Sequence, residues 1–191
     1  MDIESKHTLK LYMLLLGSKA PGRHVEQHDF FFGIAHSMKE LVPEIKKFWS
    51  EAGEKIHIDA WREINIVDGY RISIKPREGK GNVDQQKLFF INLGGYQENK
   101  FEEQHYVVLT VKPNRAAAFS EAKETLFFKN NHFEGAHTHI DDKYGIDVDD
   151  LYEIDEILLP VYTEKYQIAL TEEPEAAADK IHLGYLKLAN V

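Results

Sequence analysis

Residues 11–16, Leu-Tyr-Met-Leu-Leu-Leu, and residues 88–93, Leu-Phe-Phe-Ile-Asn-Leu, are nearly continuous apolar runs, and each is followed at once by a glycine, Gly17 or Gly94. A short apolar run without alternation predicts a strand covered on both faces, and hence a central one. After a loop of about ten residues each run is followed by an alternating stretch, with His28, Phe30, Phe32 and Ile34 in phase in the first and His105, Val107, Leu109 and Val111 in the second. Period two places each set on one face of a strand, predicted to point inward. The period then lengthens. Leu41, Val42, Ile45, Phe48 and Trp49 make a helical stripe, matched by Ala118, Phe119, Ala122, Thr125 and Leu126. Ser37 with Glu40 reads as a capping box, Pro43 holds the start of the regular helix near Leu41, and Asn114 is positioned to cap the second helix. A strand containing His57-Ile58-Asp59 follows, then a hairpin turn at Asp68-Gly69 and a strand from Tyr70.

These parallels are an internal repeat. A shift of 77 places Leu11, Leu16, Gly17, Glu26, Gln27, His28, Glu44 and Lys46 on Leu88, Leu93, Gly94, Glu103, Gln104, His105, Glu121 and Lys123. With five more residues inserted, His57, Ile58, Asp59, Ile64, Asp68, Tyr70 and Ile72 fall on His139, Ile140, Asp141, Ile146, Asp150, Tyr152 and Ile154. The expectation is an α+β fold of two tandem ββαββ repeats with pseudo-twofold symmetry, residues 9–75 and 88–159. A linker at 76–87 joins them, and a strand-containing C-terminal extension at 160–191 follows. One such unit is marginal by surface-to-volume scaling, so the repeats are expected to share a core as one compact domain.

Composition narrows the chemistry. The 191 residues are 43% hydrophobic, enough for a core, and no apolar run approaches a membrane span. Cysteine is absent, which removes disulfides, thiolate metal sites and cysteine nucleophiles together. With no cysteine, and an early apolar stretch too short for a secretory signal, the expected location is cytoplasmic. The net charge is −9, and the excess is uneven: residues 1–80 hold 13 basic against 12 acidic side chains, residues 81–191 hold 10 against 20. No basic face exists to release counterions, so no nucleic-acid partner is expected.

The duplicated Glu-Gln-His is the sharpest candidate. His28 with Glu26, and His105 with Glu103, could act as general base or metal ligand, but an imidazole tying a loop to a strand end explains the repeat with less. His57 and Asp59, two apart in a strand, share a face and could bind a metal or stand in solvent. In the second repeat His137, His139 and Asp141 give three ligand types at alternate positions, a single-metal spacing. The string resembles the metallo-β-lactamase signature but lacks its last histidine. Asp141, Asp142, Asp147, Asp149 and Asp150 surround Gly145 as an acidic loop without the order of an EF-hand. The glycine loop at 17–24 imitates a P-loop, yet Arg23-His24 stands where Lys-Ser/Thr is needed and a strand follows. No serine has the setting of a nucleophile elbow.

The combination of strand-Leu-Gly, a loop, Glu-Gln-His, a helix, His-Ile-Asp and Asp-x-Tyr-x-Ile resembles the domain-of-unknown-function 1543 family, whose domain occurs once or twice per chain, here across about 9–159. The resemblance implies a bacterial protein and carries no established activity. A patterned scaffold without a complete catalytic set predicts a non-catalytic module that binds a small ligand or a protein and assembles as a homo-oligomer. The alternative is a metal-assisted or acid–base enzyme built on the duplicated Glu-Gln-His and His-x-Asp groups. No cofactor is predicted, a divalent metal being the one alternative left open.

Overall fold

In the computed structural model, which describes residues 8–77, 86–96, 101–124 and 146–191, the apolar runs form the centre strands of separate sheets. The architecture is α+β, mostly strands with few helices. The chain divides into two compact units, Met1–Gly79 with Leu158–Val191, and Lys80–Ile157.

In the first unit β1 (Lys10–Ser18) lies between β2 (Gln27–Ala35) and β3 (His57–Glu63), antiparallel to both. Leu11, Leu14 and Leu16 are almost fully buried and Tyr12 and Met13 nearly so, so both faces of the strand are covered, as an unalternating run requires. Strand β2 departs from the expected alternation. Phe31 and Phe32 are both buried while His28, at the open end of the strand, is exposed. The reason is that helix α1 (Val42–Phe48) lies against the face opposite Phe32, and Phe48 meets the Phe31 ring edge-on at 5.4 Å. Pro43 sits in the first turn of α1, where its missing N–H loses no bond. A 3₁₀ turn, Met38–Leu41, precedes the helix, and Glu40 reaches back to the amide of His36 at 3.1 Å.

A tight hairpin joins β4 (Ile66–Val67) to β5 (Tyr70–Pro76), with Asp68 at φ 50° and Gly69 at φ 73°, the left-handed pair that an Asp-Gly turn supplies. The chain after Leu158 returns to this unit. Strand β9 (Tyr166–Glu172) pairs with β5, and β10 (His182–Lys187) pairs with β3, giving sheet orders β10-β3-β1-β2 and β4-β5-β9. Asp179, between them, accepts from the amides of Asn65 and Ile66 at 2.8 and 3.0 Å and fastens the segment to the start of the hairpin.

The second unit places β6 (Lys87–Tyr96) between β7 (Glu103–Lys112) and β8 (Ile146–Glu153). Helix α2 (Arg115–Glu124) is capped by Asn114, whose Oδ1 accepts from the Ala117 amide at 3.0 Å. Its alanines, Ala118 and Ala122, pack on Phe89, Ile91 and Leu93, small side chains letting the helix close on the sheet. Phe119, expected in the stripe, is partly exposed beneath the Lys123 ammonium, 4.8 Å from the ring centroid. Thr125 and Leu126 lie outside the described residues. No helix among the described residues is long and apolar enough to cross a membrane.

Phe89 is fully buried, so Phe89→Ala is expected to destabilise the second unit by about 3–5 kcal/mol, read from denaturant midpoints. A second expectation concerns alkaline pH. Burial, with Glu63 beside the hydroxyl, pushes Tyr12 up to about 12, and burial, with Glu44 nearby, does the same for Tyr162. The fold therefore favours the neutral phenols. Their contribution is complete below pH ~10, where an unfolded tyrosine titrates, and is lost as pH rises from there through about 12. Melting curves across this range should fall less steeply for Tyr12→Phe and Tyr162→Phe than for the wild type.

Candidate functional site

Gly17 precedes the last residue of β1, the buried Ser18, and the register around it assembles a cluster. Gly17 stands opposite His28 on β2 and opposite His57 on β3. The β1–β3 ladder then skips a residue: Leu16 pairs with Ile58 and Leu15 with Ala60, leaving Asp59 as a bulge without a cross-strand partner. A bulge re-aims its side chain. The Asp59 carboxylate crosses the bare backbone of Gly17 to reach His28, whose Nε2 lies 3.2 Å from Asp59 Oδ2. A Cβ on Gly17 would collide with that carboxylate and come within 2.6 Å of His57 Nε2.

Four side chains thus meet at one end of the sheet, His28, His57, Glu26 and Asp59. Glu26 turns Oε1 to His57 Nε2 at 3.0 Å and Oε2 to His28 Nε2 at 4.0 Å. Asp59 divides its oxygens likewise, Oδ1 3.4 Å from His57 and Oδ2 3.2 Å from His28. His57 is buried, with a side-chain exposure of 8%, whereas His28 and Glu26 are about half open to solvent at 47% and 43%. His57 Nδ1 lies 3.0 Å from the carbonyl oxygen of Lys55, which can only accept, so Nδ1 carries the proton. In the neutral ring Nε2 then presents a lone pair towards two carboxylates. Asp59 Oδ2 is itself enclosed and accepts no hydrogen bond of good geometry despite the nearness of His28. The Tyr185 ring, from β10, lies over His57 at 4.4 Å between centroids.

The second unit repeats this register. Gly94 stands opposite His105 on β7 and Asp147 on β8, Leu93 pairs with Val148 and Asn92 with Asp150, and Asp149 is the bulged residue. His105 Nε2 lies 3.4 Å from Asp149 Oδ2 and 3.8 Å from Glu103 Oε2. One ligand atom each from Glu103, His105 and Asp149 falls within 4.8 Å of the other two. The three heavy atoms nearest to a Cβ on Gly94 would all belong to Asp149, with Oδ1 at 2.7 Å. At the opposite end of each centre strand a lysine pairs with a glutamate of the third strand, Lys10 with Glu63 and Lys87 with Glu153, both at 2.7 Å.

The structure therefore brings Glu26, His28, His57 and Asp59 together and joins Glu103 and His105 to Asp149, which sequence reasoning left in an acidic loop. The sheet does not use the offset of 82 that aligned His57 with His139. It keeps 77 for β1 and β2 but takes 90 for β3, so Asp147 and Asp149 hold the places of His57 and Asp59. Thirteen additional residues between helix and third strand cause the difference. The signal was present in the shared Asp-x-x-x-Glu spacing, Asp59 to Glu63 and Asp149 to Glu153, together with a lysine just before each apolar run. His137, His139 and Asp141 lie outside the described residues.

An imidazole beside a carboxylate can pass a proton, and imidazoles alternating with carboxylates can hold a divalent cation. Residues 23–74, a segment that contains all four members of the first cluster, match the family model described as Domain of Unknown Function (DUF1543). The match supports the DUF1543 family. It covers the first unit only in part and does not extend to the second. No curated protein matches the chain. Among solved structures, that of a protein Il1583 from Idiomarina loihiensis is similar at a TM-score of 0.63 and 22% identity, covering 94% of this chain and 97% of that one. At that identity the likeness speaks to the fold alone.

The glycines give a direct test of the geometry. Gly94→Ala is expected to cost about 1–3 kcal/mol through overpacking, and to be nearly neutral when Asp149→Ala has removed the collision. Gly17→Ala should keep part of its cost in an Asp59→Ala background, because His57 still obstructs the methyl group. Equal losses with and without the aspartate, in a double-mutant cycle of unfolding free energies, would contradict the crossing carboxylates.

Proposed function

We propose that this chain is a non-catalytic metal-binding module made of two tandem copies of one unit, each holding a divalent cation in its Glu-x-His and bulged Asp. The observation that carries this reading is the state of His57. Its Nδ1 proton is committed to the Lys55 carbonyl, and its Nε2 faces Glu26 and Asp59, both acceptors. With the ring neutral, a cation between them takes the place that a second ring proton would otherwise fill, and a backbone carbonyl on the far nitrogen is the usual support of a metal-ligating histidine. The unsatisfied Oδ2 of Asp59 supports the same reading, since a buried carboxylate oxygen without a good donor is expensive unless something positive is beside it.

The repetition supports it further. Two clusters with the same strand register, the same bulge and the same glycine argue for tandem descent of the unit, and for a shared role at the end of the sheet where Glu26, His28, Glu103 and His105 are open to solvent. At the opposing end the glutamates already have lysine partners, Glu63 with Lys10 and Glu153 with Lys87.

Chelator-treated protein titrated with Zn²⁺, Ni²⁺ and Mn²⁺ is expected to take up two equivalents by calorimetry and to melt at higher temperature, each site adding about 2.7 kcal/mol at a hundredfold excess over Kd. The double variant His28→Ala, His105→Ala should lose both effects. Wild-type protein that binds none of the three ions stoichiometrically sinks the reading, and the clusters would then stand as ion pairs between imidazolium and carboxylate.

A further inference from the structure

Among the described residues the two clusters differ at one register position. The donor set of the first unit has two imidazoles, His28 and His57, with the carboxylates of Glu26 and Asp59. Among the described residues of the second unit His105 is the single imidazole beside Glu103 and Asp149, and the register position that His57 occupies belongs to Asp147. We infer that the first site selects borderline transition metals such as Zn²⁺ or Ni²⁺, while the second is a harder, oxygen-rich site that accepts Mn²⁺ comparatively well. The inference rests on the metal-binding reading and adds the class of ion to each site.

Ligand softness is the reason. Imidazole suits zinc, copper and nickel, whereas carboxylate-dominated sites suit manganese and magnesium, and total affinity follows the Irving–Williams order at both. Discrimination between Zn²⁺ and Mn²⁺ should therefore be steeper where two imidazoles contribute. Burial acts in the same direction. His57 is buried under the Tyr185 ring, which holds one nitrogen donor out of water and fixed in orientation, while His105 is 49% exposed. A fixed, partly dry donor favours the ion that gains most from a nitrogen ligand.

The test uses the full chain with one site removed at a time. His105→Ala leaves the first site and His28→Ala leaves the second. Competition calorimetry with Zn²⁺ and Mn²⁺ should give a Zn²⁺-over-Mn²⁺ affinity ratio roughly tenfold or more higher in His105→Ala than in His28→Ala. Exchanging the differing position should move the ratios together: His57→Asp in the His105→Ala chain lowers it, and Asp147→His in the His28→Ala chain raises it. The second exchange stands on its own if replacing the buried His57 unfolds the first unit. Ratios equal within twofold, or an Asp147→His chain that folds and binds metal with an unchanged ratio, overturn the inference while leaving the metal sites in place. Failure of both single-site chains and of the wild type to bind either ion overturns the reading beneath it as well.

Discussion

Everything at the candidate site depends on a close crossing in which an aspartate carboxylate passes over the backbone of a neighbouring strand at a glycine. Asp59 crosses Gly17 and Asp149 crosses Gly94, and neither crossing has room for a Cβ. Two separate features of the chain make it possible. The centre strand must be buried on both faces up to the glycine so that its position is fixed, and the adjoining strand must carry one extra residue so that the aspartate is turned out of the alternating pleat. Neither suffices alone. A regular ladder would leave the carboxylate beside its own strand, and a bulky residue in place of glycine would exclude it.

Once the carboxylate is across, the rest of the cluster follows from strand geometry. Residues two apart in β2 share a face, so Glu26, just before the strand, and His28, opposite Gly17, converge on the same spot, as do Glu103 and His105 in β7. The first unit has one more layer of support. The chain beyond Leu158 supplies β10, whose Tyr185 covers His57, and His182 of the same strand stacks on Trp61 at 3.9 Å with the rings 2° from parallel. Two ring contacts on one edge strand hold β3 along the stretch that includes its bulge.

Much of this was legible in the sequence, because it is local. The unalternating runs of β1 and β6, the helices after Leu41 and Asn114 and the Asp68-Gly69 hairpin each follow from a pattern within a few residues. Glu26, His28, Glu103 and His105 were found because they repeat with a constant offset. What escaped depends on pairing between distant strands. Asp149 was hidden by an acidic neighbourhood and by the thirteen-residue change of offset, which drew the alignment onto His139 and Asp141. The even phase assigned to β2 failed for a similar reason. Phe31 is buried by α1, a partner that strand periodicity cannot reveal.

Charge gives a physical meaning to the composition. Each cluster sets carboxylates beside imidazole, while Lys10 and Lys87, on the centre strands, are drawn to glutamates at the far end of the sheet. Those two lysines are thereby held away from the open end. The acidic excess of residues 81–191, 20 acidic against 10 basic side chains, is shared between the units, because the chain from Leu158 returns to the first. Such an excess repels phosphates and concentrates small cations, with an effect that weakens as salt screens it. The acidic balance that argues against a nucleic-acid partner is thus the same feature that suits a small cation.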